Sequence, residues 1–142
     1  MSTESRKKPQ ITRHRPAGPD HQVITVIGGG HGYRREPCPG CPWKKSNDGA
    51  FPAEAFRHSA ETAYDMSQHS FACHESGAEK PATCAGFLLH GADHNLAVRL
   101  RRMRGQIKND ISDGGHDLHH SYRDMAEANG VSPDDPSLTK CR

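Results

Sequence analysis

Apolar residues in this chain fall into short runs separated by long polar, glycine- and proline-rich stretches. The first run, Val23-Ile24-Thr25-Val26-Ile27, is β-branched throughout and predicts one strand over residues 22–27. It leads into Gly28-Gly29-Gly30-His31-Gly32. A glycine-rich turn after a strand is also the start of a phosphate-binding loop. Here no Gly-Lys-Ser/Thr step follows, and Pro37, Pro39 and Pro42 stand where a helix should open, so the turn reads as a hinge.

From residue 51 the period changes. Pro52 suits a first helical position, and Ala53, Phe56, Ala60, Ala63 and Tyr64 recur at three- and four-residue steps, predicting an amphipathic helix over 51–66. A second helical stretch starts at Thr83, read as its N-cap, and runs through Cys84, Phe87 and Leu88 to Gly91. Asp93 then caps a third helix, with Leu96, Leu100 and Met103 as its apolar side and Gly105 as its end. Leu118, Tyr122, Met125 and Ala126 predict a last short helix closed by Gly130, and an irregular tail follows from Ser132.

Composition changes this picture in one respect. Leu, Ile, Val and Phe together number 19 of 142 residues, below the roughly one fifth at which a globular core becomes doubtful. Net charge is only +2, so the deficit points to a small ordered centre in polar chain rather than to a charged disordered polymer. Centres of that size commonly need a disulfide or metal staple. The expected fold is mainly α, a small metal-stapled domain with one short N-terminal strand and disordered tails. Its parts are a basic arm over 1–20 carrying Arg6, Lys7, Lys8, Arg13 and Arg15; a strand and glycine-rich linker over 21–35; a four-cysteine helical domain over 36–104; and a polar tail with one short helix over 105–142. No apolar run spans a membrane and no apolar segment follows the basic start, so a cytoplasmic location is expected and no membrane partner.

In that compartment cysteines bind metal or do redox work more often than they form disulfides, and five of them cannot all pair. Cys38 and Cys41 lie in Pro37-Cys-Pro-Gly-Cys-Pro-Trp43, a spacing that lets two sulfurs of one tight turn face one ion. Cys73 and Cys84 follow, each beside aromatic chain at Phe71 and Phe87 that would shield the ion from water. Four thiolates suit zinc and iron–sulfur clusters alike. Zinc is the favoured ion, on the frequency of structural four-cysteine sites. A [4Fe–4S] cluster is the alternative, on the Cys41-Pro42 step and the separated third and fourth cysteines. The competing view makes Cys73 and Cys84 ordinary buried small residues. His74, next to Cys73, is read as a hydrogen-bonding neighbour of the site rather than a ligand. Cys141 is read as a free thiol in the tail. Cys38-Pro-Gly-Cys41 also has the spacing of a thioredoxin-type redox pair, but no helix opens after it and no βαβ unit surrounds it.

The combination of Cys-Pro-x-Cys-Pro-Trp, Gly49-x-Phe-Pro52, Phe71-Ala-Cys-His74, Cys84-Ala-Gly-Phe-Leu88 and His94-Asn-Leu96 resembles a small uncharacterised family of actinobacteria and their phages that carries a domain of unknown function, numbered 6283. The resemblance covers roughly residues 36–104. It implies that the four cysteines act as a set and brings no activity with it.

Outside the cysteines, Arg99, Arg101, Arg102 and Arg104 make the third helix basic and are candidate contacts to nucleic-acid phosphates, though a solvated helix face explains them as well. His116, His119 and His120 form a histidine cluster whose plain reading is a polar surface. No Ser-His-Asp or paired-carboxylate arrangement stands out, so a non-catalytic role is favoured. The expected function is a small zinc-stabilised interaction or regulatory module whose partner is nucleic acid or protein; the alternative is an iron–sulfur redox sensor or electron carrier.

Overall fold

The computed structural model describes residues 10–18, 21–27, 32–73 and 82–141. The first residues of the basic arm, the Gly28–His31 hinge and His74 lie outside them. Mainly helical, the described chain holds four α-helices: α1 (Ala53–Ser59), α2 (Ala85–His90), α3 (Leu96–Met103) and α4 (Tyr122–Ala128). Three strands join them, β1 (Gln10–Gly18), β2 (His21–Ile27) and β3 (Ser70–Phe71).

The strand expected at 22–27 is β2. It lies between two antiparallel neighbours in a sheet of order β1-β2-β3, pairing Gln10 with Ile27 on one side and Thr25 with Phe71 on the other. β1 falls in the stretch expected to be a disordered arm. An open strand edge offers unpaired backbone groups to any neighbouring segment, and Gln10–Gly18 takes them up. Its outer position tolerates Pro16, which lacks an N–H to give to a further strand.

The helices follow the predicted runs but stop sooner. α1 tightens after Ser59 into a 3-10 turn over Ala60–Ala63, and together they bury Phe56, Ala60, Thr62 and Ala63. α2 opens at Cys84 rather than at Thr83. The cap of α3 is Asn95, not Asp93: its side chain accepts from the Val98 N–H at 3.0 Å. The same amide donates to the carbonyls of Thr62, at 3.0 Å, and His69, at 2.8 Å. One buried side chain thus starts α3 and ties it to the end of the α1 segment and to the approach to β3.

This cap sets the rotation of α3. Val98 and Arg101 face inward, while Leu100 is at the surface and Met103 is 82% exposed. The expected apolar side of the third helix is therefore its outer side. Arg101 is only 3% exposed and donates to Thr83 Oγ1 at 2.8 Å.

The segment 105–142, expected to be a polar tail, packs into the same core. Ile107, Leu118, Tyr122, Met125, Ala126, Val131, Leu138 and Cys141 are all buried. Sparse apolar spacing hid this, because each turn delivers only one or two side chains. Polar anchors supply the rest: Ser121 caps α4 by accepting from Asp124 N, Asn129 accepts from Gly49 N at 2.9 Å, and Arg123 donates to Leu138 O. Cys141 is in no disulfide, as expected of a free thiol, but it is packed into the core and not left in a loose tail. It is buried and donates to Ala60 O at 3.5 Å.

Trp43 is at the centre, fully buried. Its ring meets Phe71 and Tyr122 edge-on at 6.2 and 6.1 Å, while Phe71 stacks on Phe87 at 6.0 Å. α2 offers the indole a groove without side chains: a Cβ on Gly86 would sit 2.5 Å from Trp43 Cβ, and one on Gly91 would sit 2.6 Å from Trp43 Cη2. The first contact explains the glycine in Cys84-Ala-Gly-Phe-Leu88, and the second explains the glycine that ends α2.

Candidate metal centre

The first cysteine pair sits on a tight turn in which Cys41 N donates to Cys38 O at 3.0 Å and Lys44 N donates to Cys41 O at 3.1 Å. The Trp43 amide N–H donates to the Cys41 sulfur. Amide donors aimed at sulfur stabilise thiolate charge, as in the turns that present cysteines to metals. Asn47 braces the turn from outside through bonds from its side-chain amide to Pro39 O and Cys41 O at 3.0 and 2.9 Å. The supposed tail braces it again: Lys45 N donates to Asp117 O at 3.0 Å, and His119 N donates to Trp43 O at 2.9 Å.

Cys73 and Cys84 come from two antiparallel segments that pair at Ala72 and Thr83. Cys73 N donates to Ala82 O, and Cys84 N donates to Phe71 O at 2.9 Å. Since alternate residues of a ladder share a face, both cysteines emerge on one side, as diagonal neighbours. Thr83 is also bonded to the segment leading into the Cys38 turn, donating to Gly32 O at 3.0 Å and accepting from Arg34 N at 2.9 Å. These bonds carry the first pair alongside the second.

The outcome is a sulfur-rich spot in the core. Cys41 Sγ lies 3.7 Å from Cys84 Sγ, although 43 residues separate them. Cys38 also hydrogen-bonds to Cys41 through its side chain. All four cysteines are buried, at 6% exposure or less, and none is in a disulfide. The Cys38 hydrogen bond pulls the Cys41 pKa down, but the Cys84 hydrogen bond, burial and the Cys84 charge outweigh it and push that thiol up to about 12. Among the described residues, no group of three or more His, Cys, Asp or Glu is arranged to hold an ion as it stands.

The other predicted residues are dispersed. Arg101 is turned inward, so it is withdrawn from any surface phosphate, because its burial leaves the guanidinium no exposed face. Arg102 gives one nitrogen to Leu88 O at 2.9 Å, while Arg99 and Arg104 are exposed. The histidine cluster divides. His119 is buried with Nε2 at 2.7 Å from Asp48 Oδ1, and His120 turns to His90 on α2. Sequence reasoning missed Asn95 and Arg101 as internal polar residues. The Asn of His-Asn-Leu was the available signal for the first; nothing distinguished Arg101 from its neighbouring arginines.

Among the described residues, no helix is long and apolar enough to cross a membrane. No curated protein and no solved structure matches the chain. Residues 33–142 match a family of unknown function, a span that takes in the C-terminal segment as well as the cysteine motifs, and the chain belongs to that family, DUF6283.

Proposed function

We propose that Cys38, Cys41, Cys73 and Cys84 hold a single Zn²⁺ as a structural ion, and that the protein is a zinc-stapled interaction module. The observation that carries this reading is the 3.7 Å between Cys41 Sγ and Cys84 Sγ. With Zn–S bonds of about 2.3 Å, two thiolates on one tetrahedral ion lie roughly 3.8 Å apart. Cysteines held on different irons of a [4Fe–4S] cube stand much farther from one another, so the short separation favours one ion over the cube. On this reading ion binding draws the Cys38 and Cys73 sulfurs onto the existing pair and displaces the thiol protons.

Two further features support the assignment. Trp43 and Phe87 are buried in the same cluster as the four cysteines, with Phe71 packed against it, and an apolar surrounding of that kind strengthens metal–thiolate attraction. A tetrathiolate zinc also carries two net negative charges, and the buried Arg101 guanidinium, bonded to Thr83 beside Cys84, puts a cation in the same region. An ion held by four thiolates would have no open coordination position for chemistry, which favours a binding role over a catalytic one.

Elemental analysis and circular dichroism of anaerobically purified protein test the proposal. One zinc per chain, with loss of the cooperative fold when a strong chelator strips it, is the expected result. Protein that lacks metal and folds cooperatively, or brown protein with iron and sulfide, overturns it.

A further inference from the structure

A second pair of metal-type donors lies at the opposite end of α2 from Cys84. His90, the last residue of that helix, meets His120, just before α4, with ring centroids 5.2 Å apart and planes inclined at 76°. Two imidazoles sharing one tetrahedral ion, each with a metal–nitrogen bond of about 2.0 Å, have their centroids roughly 5 Å apart. Backbone bonds set this approach: Gly91 N donates to Phe87 O at 2.8 Å at the end of α2, and His119 N is fixed to Trp43 O. Neither ring is committed to the pairing that occupies His119, whose Nε2 faces Asp48. The carboxylates of Asp113 and Asp93 lie within electrostatic reach of His90 and add negative potential that attracts a cation.

From this geometry we infer that His90 and His120 form a surface site for a borderline divalent transition metal such as Zn²⁺, Ni²⁺ or Co²⁺. The two imidazoles are the protein donors, and the remaining positions belong to water or to an incoming donor group. Imidazole suits these ions better than it suits Mg²⁺ or Ca²⁺, so the alkaline-earth ions are not ligands here. His120 is exposed and His90 half-buried, so ions reach the site without any opening of the fold. The site is independent of the cysteines: it uses neither their side chains nor the ion proposed for them.

The test is a calorimetric titration of the full chain, as purified with its resident metal, with Ni²⁺. It is repeated for His120→Ala, His90→Ala and His94→Gln, the last being an exposed histidine outside the pair. One equivalent of Ni²⁺ should bind to the parent and to His94→Gln, and its affinity should fall at least tenfold in both His120→Ala and His90→Ala. His120 is exposed, so its removal leaves the fold intact even if the His90 variant is weakened. Selective paramagnetic broadening of the His90 and His120 imidazole resonances by substoichiometric Ni²⁺ is the companion result. Ni²⁺ affinity unchanged in His120→Ala, or broadening centred on other histidines, overturns the inference. Broadening of the imidazole resonances separates this site from Ni²⁺ taken up by cysteines that hold no zinc, so failure of this inference and failure of the zinc reading are read separately.

Discussion

Replacing Asn95 separates a helix cap from an internal hub, because its side chain does two jobs with opposite hydrogen-bond polarity. As acceptor it caps α3 through Val98 N; as donor it satisfies the carbonyls of Thr62 and His69. Losing an N-cap alone costs about 1 kcal/mol. Removing two donors from carbonyls inside the protein adds about 1–2 kcal/mol each, since the oxygens are left without partners. Asn95→Ala should therefore destabilise the domain by about 3–5 kcal/mol, a large share of the roughly 5–15 kcal/mol typical of a domain. Asn95→Asp sharpens the test. Asp is as good an N-cap as Asn, so a pure cap would tolerate it. Here the carboxylate retains the Val98 bond but meets two carbonyl oxygens with negative charge, and the loss should equal or exceed that of the alanine variant at pH 7. Urea denaturation of the purified protein measures both. An Asn95→Asp midpoint within experimental error of the parent would refute the hub reasoning.

Three other substitutions probe separate parts of the account. Gly86→Ala puts a methyl 2.5 Å from Trp43 Cβ, so thermal unfolding should show a loss of about 1–3 kcal/mol from overpacking, whereas Gly105→Ala, with open space around its Cβ position, should reveal only backbone strain at its positive φ. Arg101→Ala should cost about 2–4 kcal/mol in chemical denaturation by removing a donor from buried Thr83 Oγ1 and leaving a void, while Arg99→Ala on the outer face should stay within about 0.5 kcal/mol. Burial pushes the Cys141 thiol up to about 11 from an ordinary value near 9. The folded protein therefore retains that proton longer than the unfolded chain, and the stabilisation is complete below pH 9 and lost as pH rises towards 11. Cys141→Ala should lack this part of the alkaline decline when urea midpoints are followed across that range.

The residue spacing marked every helix and β2, because three- and four-residue apolar steps and a β-branched run are local signals. It marked ends and rotations poorly. Asp93 and Asn95 are both good caps, and choosing between them requires the Thr62 and His69 carbonyls, which come from 33 and 26 residues away. The choice moves Leu100 and Met103 outward and Arg101 inward. Burial of Ile107, Leu138 and Cys141 was equally invisible, since each stands alone among polar residues and finds its apolar neighbours only through contacts distant in sequence, such as Cys141 with Ala60. For the candidate site, local spacing pointed to the Cys38–Cys41 turn, and the aromatic neighbours pointed to Cys73 and Cys84. The braces at Asn47, Asp117 and His119 were not legible, because they are backbone-directed bonds that leave no pattern of residue types.

Zinc K-edge X-ray absorption on the intact protein tests the thiolate centre most directly. In protein holding one zinc per chain, the thiolate centre should give a shell of four sulfurs at about 2.3 Å with no nitrogen or oxygen in it. A shell with two or fewer sulfurs, or a spectrum of weakly held zinc surrounded by oxygen, would contradict it.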